Sequence, residues 1–172
     1  MDANNSTNGF SSCHIEGFKY KEPFHASEKK FERKRILIIC TGNSCRSQMA
    51  EGWLRLFDER LDVFSAGTRP EKEINHYALR AMEEVGVDIS LQFPKLVNNF
   101  IKDNFNYVIT VCDNARQVCP VFTGNVKHHL HIGFEDPADA KGSSEEIMET
   151  YRKIRDQMRD AFYNFFFEEQ GK

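Results

Sequence analysis

The hydrophobic and polar positions of this chain alternate between strand and helix patterns from residue 35 onwards. A short apolar run at 36–39 predicts a buried parallel strand, and residues 47–60 then repeat apolar positions at helical spacing. The predicted elements are strand 36–39, helix 47–60, strand 61–66, helix 75–85, strand 107–111, strand 126–130 and a long helix from Ser143, whose Glu146 completes a capping box. Residues 87–106 are irregular, with a short helix near Phe100.

This alternation predicts one α/β domain over residues 35–172, a small doubly wound four-stranded parallel sheet with helices on both faces. In such folds, ligands bind at the carboxyl ends of the strands. Residues 1–34 are polar and lack either periodicity. We predict that they form a flexible extension, in which Cys13 is a free thiol without a role.

Composition and charge narrow the classes of function. The chain has 172 residues and a net charge of −3, so it can bury a core but offers no basic surface for nucleic acid. No apolar run approaches the roughly 20 residues of a membrane span, and the first 30 residues lack a signal peptide's apolar core. The five cysteines are an odd number without a disulfide-scaffold spacing. We therefore expect a cytoplasmic, monomeric protein that binds neither nucleic acid nor membrane.

The first predicted strand leads directly into a Cys-x5-Arg loop that runs from Cys40 to Arg46. Backbone N–H groups of such a loop, and of the helix that follows it, surround a small concavity with positive potential. The Arg46 guanidinium adds two parallel donors for two oxygens of a tetrahedral anion. The predicted oxyanion-binding residues are Thr41, Gly42, Asn43, Ser44, Cys45, Arg46 and Ser47.

Cys40 is the candidate nucleophile of this loop. The helix N-terminus and Arg46 are expected to lower the pKa of its thiol from the usual value of about 8.5. The Ser47 hydroxyl can donate to the sulfur, and Asn43 tolerates a left-handed turn. A buried structural cysteine is the ordinary alternative for Cys40 alone. The loop lacks the second Gly and the Lys of a Walker A motif, which excludes that class of phosphate site.

A second cysteine follows the third predicted strand, where Cys112 reaches the same edge of the sheet as Cys40. If residues 113–119 are helical, the Cα atoms of Cys112 and Cys119 lie roughly 10 Å apart. A disulfide needs about 4.4–6.8 Å, so the pair can bond only after this segment unwinds. Two alternatives stay open. The pair can be two plain buried thiols, or it can bind zinc together with His128, His129 or His131.

Asp136 precedes Pro137 in the loop after the fourth predicted strand, again on the carboxyl side of the sheet. Pro137 restricts the backbone at Asp136 and helps to aim its carboxyl group. A carboxylic acid at this place can protonate an oxygen that leaves a tetrahedral centre. A solvated turn is the alternative reading of the same residues.

The thirteen residues from Cys40 to Gly52 read CTGNSCRSQMAEG. This run resembles the anion loop of low-molecular-weight tyrosine phosphatases, and in particular that of the arsenate reductases that share their fold. The resemblance covers about residues 34–168. It implies a phosphatase-like fold and a thioredoxin-coupled arsenate reductase. The catalytic residues that it implies are Cys40, Arg46, Cys112, Cys119 and Asp136.

In the implied reaction, the Cys40 thiolate attacks arsenate while Asp136 protonates the departing oxygen. Cys112 then attacks the Cys40 sulfur, and arsenite leaves. Cys119 attacks Cys112 in turn, so that thioredoxin reduces a Cys112–Cys119 disulfide. Phosphate and sulfate are the expected competing anions.

The resemblance implies no tightly bound cofactor, because the electrons come from thioredoxin, and we assign no metal site. Some reductases of this family carry a potassium ion beside the loop. Asn43 and Glu51 suit such an ion, but Lys95 stands where an acidic partner is expected, which makes the site doubtful.

Two rival functions use the same residues. A low-molecular-weight phosphatase needs Cys40, Arg46 and Asp136 and hydrolyses a phosphoenzyme with water. Phosphatases of the family usually place tyrosines after this Asp-Pro pair. Ala138 and Asp139 follow it here, which favours a small inorganic anion. A non-enzymatic anion or metal sensor is the other rival, although the sequence shows no DNA-binding or partner domain.

Overall fold

The computed structural model describes residues 33–170. Residues 1–32 of the predicted extension, including Cys13, lie outside the described residues. The strands are β1 (Arg35–Cys40), β2 (Asp62–Gly67), β3 (Phe105–Thr110) and β4 (Val126–His131). The helices are α1 (Arg46–Phe57), α2 (His76–Glu83), α3 (Asp113–Val118) and α4 (Ser144–Gln170). Two 3-10 helices, Val97–Phe100 and Pro137–Asp139, complete the set.

The four strands form one parallel sheet in the order β2-β1-β3-β4. The chain therefore moves outward from β1 to β2 and then returns to build β3 and β4 on the other side. Because parallel crossovers are right-handed, this reversal places α1 and α3 on opposite faces of the sheet. The predicted doubly wound fold is confirmed.

The core is centred on β1, whose residues from Ile36 to Ile39 are at most 2% exposed. Both faces of this strand are covered, as the continuous apolar run indicates. Helix α4 packs against α1 and α2. The indole N–H of Trp53 in α1 donates to the backbone carbonyl of Arg155 in α4 at 3.2 Å.

The helix ends follow local sequence signals. Ser143 and Glu146 form the predicted capping box, in which the Ser143 N–H donates to Glu146 Oε2 at 2.7 Å. Asn75 caps α2 by accepting from the Tyr77 N–H at 2.9 Å. Gly86 follows this helix with a φ of 76°, a left-handed conformation that suits glycine.

The sheet order decides where the candidate residues meet. Cys40 is the last residue of β1, and Cys112 lies two residues beyond the neighbouring strand β3. Asp136 caps the 3-10 helix that follows β4. All three therefore lie at the carboxyl edge of the sheet, at the point where the strand order reverses. Among the described helices, none is both long and apolar enough to cross a membrane.

Candidate active site

Asn43 shapes the loop between Cys40 and Arg46. Its φ of 49° lies in the left-handed region, as the sequence predicted. Its side-chain amide donates to Ser47 Oγ at 2.8 Å and to Ser65 Oγ at 2.9 Å. Its Oδ1 accepts the Lys95 backbone N–H at 2.7 Å. The Ser47 hydroxyl accepts from Asn43 and keeps its own O–H, so its donation to Cys40 stays a prediction.

Arg46 is the first residue of α1 and is 6% exposed. Its Nη1 donates to the Phe134 carbonyl at 3.1 Å, and its Nη2 pairs with Asp136 Oδ2. Its Nε is buried and has no acceptor within residues 33–170. A buried donor without a partner is costly, so Arg46 keeps one N–H ready for an anion. Asp136 occupies a second donor that the anion also needs.

The thiols of Cys40 and Cys112 hydrogen-bond to each other, and both side chains are buried. Cys112 Sγ also lies 3.3 Å from Thr41 Oγ1. The hydrogen bond with Cys112 and burial raise the pKa of Cys40 far above its usual value, although Arg46 acts in the opposite direction. The hydrogen bond with Cys40, with help from Thr41, lowers the pKa of Cys112 to about 5.

The pair therefore holds one proton and one negative charge near neutral pH. The expected lowering of the Cys40 pKa is not found in this geometry, because the neighbouring Cys112 thiol and burial raise that pKa more than Arg46 lowers it. Transfer of the single proton across the hydrogen bond makes Cys40 the thiolate, so the pair can supply either nucleophile.

The described cysteines are all free thiols. Cys119 follows the last residue of α3 and is half-buried, and burial raises the pKa of its thiol. Its neighbours Val118 and Val121 are exposed. Cys45 is different, because its Sγ lies 3.6 Å from the Tyr151 hydroxyl of α4. Only the backbone of Cys45 remains to bind an anion in the loop.

The residues expected beside a potassium ion contact other groups in this structure. The Glu51 carboxylate lies 2.6 Å from the Arg55 guanidinium and 3.7 Å from the Lys95 ammonium. Asn43 Oδ1 is already used by the Lys95 N–H. The zinc alternative also lacks a ligand set, since no group of three His, Cys, Asp or Glu residues in the described part of the chain is arranged to hold a metal.

Sequence reasoning missed two contacts at this site. The Thr41 hydroxyl contacts Cys112, and the Phe134 carbonyl accepts from Arg46. The partners in each pair are 71 and 88 residues apart along the chain, respectively. No local pattern signals such pairs. The carbonyl of Phe134 is a backbone group that any residue provides.

A cysteine at a strand end, set in a loop of backbone donors and facing an arginine, defines a class of α/β proteins. Members of this class use a thiolate against a tetrahedral oxyanion. The model of the low molecular weight phosphotyrosine protein phosphatase family matches residues 35–170. The chain belongs to this family.

Within this family, the chain is similar to arsenate reductases. It is 41% identical over 135 residues to an arsenate reductase of Bacillus subtilis (strain 168), covering 78% of this chain and 96% of the relative. A solved arsenate reductase in a phosphate-binding state superposes with a TM-score of 0.66 at 30% identity. That match covers 78% of this chain and 98% of the other.

A third relative is a thioredoxin-dependent arsenate reductase of Corynebacterium glutamicum. It matches with a TM-score of 0.55 at 28% identity and covers 82% of this chain and 66% of the other.

Proposed function

We propose that this chain reduces arsenate to arsenite and is regenerated by thioredoxin. The observation that carries the proposal is the placement of the Cys112 thiol at the Cys40 loop, where its Sγ lies 3.3 Å from the hydroxyl of Thr41, the residue after Cys40. Phosphate-ester hydrolysis needs one thiol, whereas reduction of arsenic needs a second thiol that can reach the first. The relatives named arsenate reductase support this choice.

Arsenate binds in the loop of residues 41–46, where the free Nε–H of Arg46 and the loop N–H groups donate hydrogen bonds to its oxygens. The Cys40 thiolate attacks arsenic. Asp136 gives a proton to the departing oxygen, which leaves as water. The product is a Cys40 sulfur–arsenic(V) adduct.

Cys112, returned to its thiolate form, then attacks the Cys40 sulfur. The sulfur–arsenic bond breaks, and its electron pair stays on arsenic, so arsenic(V) becomes arsenic(III). Arsenite leaves, and a Cys40–Cys112 disulfide remains. Cys112 Sγ already lies against the loop that carries Cys40, so this attack needs only a small displacement.

Cys119 completes the relay. Its thiolate attacks the Cys112 sulfur, Cys40 leaves as a thiolate, and a Cys112–Cys119 disulfide forms. Helix α3 separates the two residues and must unwind for this bond. It has six residues, of which only Ala115 is buried, so unwinding costs little packing. Thioredoxin's dithiol then reduces the exposed disulfide, as the description of the Corynebacterium relative supports.

The proposal includes no resident metal or tightly bound cofactor. The Lys95 ammonium lies 3.7 Å from the Glu51 carboxylate and offsets its charge. Exchange of potassium for sodium at constant ionic strength is therefore expected to leave arsenate turnover unchanged.

The test is arsenate-dependent NADPH consumption with thioredoxin and thioredoxin reductase. Cys112→Ser and Cys119→Ser are both expected to abolish steady turnover, whereas Asn114→Ser, an exposed position of α3, keeps it. Cys119→Ser still releases one arsenite per chain in a single turnover, and Cys112→Ser releases none. The chain is a phosphatase instead if the unmodified protein does not turn over arsenate and if neither substitution changes its rate of phosphate-ester hydrolysis.

A further inference from the structure

The imidazole of His131 bridges the two backbone segments that flank Cys112. His131 is the last residue of β4. Its Nδ1 lies 2.9 Å from Thr110 Oγ1, at the end of β3, and its Nε2 lies 3.2 Å from Asp113 Oδ1, in the first residue of α3. Thr110 precedes Cys112 by two residues, and Asp113 follows it directly. One side chain thus holds both sides of a reactive cysteine.

The surroundings of the ring restrict its position. Thr110 is 7% exposed, and its hydroxyl also lies 3.4 Å from the Leu130 carbonyl. A Cβ atom at Gly133 would lie 2.8 Å from His131 Nε2, which is closer than real Cβ contacts. Only glycine at position 133 leaves room for the imidazole in this place.

We propose that His131 is a positioning residue that holds Cys112 against Cys40 and releases Asp113 when α3 unwinds. The two contacts of the ring, to Thr110 and to Asp113, are called the His131 tether below. This inference rests on the proposed function, because it concerns the same thiol relay. It gives a role to a histidine that belongs to no metal-binding group among the described residues.

The tether has a thermodynamic consequence. Asp113 is the first residue of α3, so unwinding of this helix is expected to move it away from His131, and the contact then stabilises the dithiol more than the Cys112–Cys119 disulfide. In the half-reaction, two thiols lose two protons and two electrons, and oxidised dithiothreitol in the buffer accepts them. Because Asp113 is largely exposed, loss of the contact is expected to raise the equilibrium constant for disulfide formation about threefold. This corresponds to a reduction potential about 14 mV more negative.

The experiment equilibrates the full chain in dithiothreitol redox buffers and quantifies the Cys112–Cys119 disulfide by mass spectrometry. The variants are His131→Asn, which keeps an amide group near the Nδ1 position, Asp113→Ala, and the double variant. His129→Asn is the matched control, because this exposed histidine of the same strand has no part in the tether.

We expect each single variant to favour the disulfide and His129→Asn to match the unmodified chain. The double variant is expected to change the equilibrium constant by less than the product of the two single effects. Asp113 also stabilises α3 through the helix dipole, so the coupling between the two changes isolates the tether. Purely multiplicative effects, or a His131→Asn variant with unchanged potential, overturn the proposal.

A second readout tests the positioning role. In a Cys119→Ser background, the single-turnover rate of arsenite release measures attack by Cys112 on the Cys40 adduct. His131→Ala is expected to slow this step several-fold, and His131→Asn to restore most of the rate through Thr110. Equal slowing by both variants contradicts the Thr110 contact.

The two levels of failure are distinct. If the unmodified chain forms no Cys112–Cys119 disulfide at any buffer ratio, the relay and the tether both fail. If that disulfide forms but its equilibrium constant does not change in the His131 and Asp113 variants, the relay stands and the tether fails.

Discussion

At the scale of single residues, Asp136 and an anion compete for the guanidinium of Arg46. Asp136 Oδ2 pairs with Arg46 Nη2, while Arg46 Nε stays free. The second oxygen of Asp136 accepts the Ala138 N–H at 3.1 Å, which orients the carboxyl group. An incoming oxyanion must therefore displace Asp136 or share Arg46 with it.

Asp136→Asn is expected to separate binding from turnover. Loss of the carboxylate charge removes repulsion and frees Arg46, so the phosphate dissociation constant falls several-fold. Loss of the proton donor lowers arsenate turnover by about 100-fold or more. Calorimetric titration with phosphate and steady-state turnover measure the two effects. Weaker phosphate binding in Asp136→Asn contradicts this account, and Asp139→Asn, on the exposed side of the same 3-10 helix, is the control.

The Cys112 thiolate is predicted to depend on its two neighbours. The hydrogen bonds from Cys40 and Thr41 stabilise the charged form, so their loss raises the pKa of Cys112 from about 5. Cys40→Ala is expected to move the midpoint most of the way towards about 8.5, and Thr41→Val to move it less. The pH dependence of alkylation, followed by mass spectrometry of the peptide that contains Cys112, measures the midpoint. An unchanged midpoint in Cys40→Ala rules out the shared proton.

Helix α3 is the element on which the proposed redox step depends. It is bounded by Cys112 and Cys119, and only Ala115 is buried among its residues. Its stability as a helix therefore comes mainly from local propensity, from Asp113 in its first turn and from the His131 tether. The long helix α4 contrasts with it, since Tyr151, Met158 and Phe162 in α4 are at most 1% exposed.

Greater helix propensity in α3 is predicted to oppose oxidation. Asn114→Ala combined with Gln117→Ala changes exposed positions and stabilises the helix by about 1 kcal/mol. The equilibrium constant for the Cys112–Cys119 disulfide is then expected to fall about fivefold, measured in dithiothreitol redox buffers. Gln117→Gly changes the propensity in the opposite direction and is expected to favour the disulfide. The same direction of change in both variants contradicts unwinding as the required step.

The whole molecule assembles the site at the reversal of its strand order. Cys40 ends β1, Cys112 follows β3, and Asp136 follows β4, so each reaches the site from a different connection. Arg46 then joins α1 to the last of these segments through Phe134 and Asp136. An anion on Arg46 binds only when these elements are folded together.

Phosphate is accordingly predicted to stabilise the whole fold. At a concentration about 100 times its dissociation constant, the free energy of unfolding is expected to rise by about 2.7 kcal/mol. Arg46→Gln removes the increase, whereas Arg159→Gln, which deletes the same charge on α4, keeps it. Chemical denaturation followed by circular dichroism, with and without phosphate, measures the difference. Stabilisation that persists in Arg46→Gln places the anion elsewhere.

Local patterns were sufficient for the order of the elements and for the loop. The apolar run at 36–39 has the length and branching of a buried strand, and Ser143 and Glu146 mark the start of α4, as the structure confirms. The inner face of α2 depends on the neighbours that the fold supplies. Ala81 is fully buried, whereas Leu79 and Val85 are partly exposed, because small side chains face the neighbouring helices.

The sequence by itself determined the alternation of strands and helices, the left-handed turn at Asn43 and the candidate anion loop, because each depends on residues near one another in the chain. Only the tertiary structure decided that Cys112 lies at the Cys40 loop, that Asp136 pairs with Arg46 and that His131 contacts Thr110 and Asp113. These contacts join residues that are far apart in the sequence. Their geometry follows from the strand order and the burial it creates, which no periodic pattern encodes.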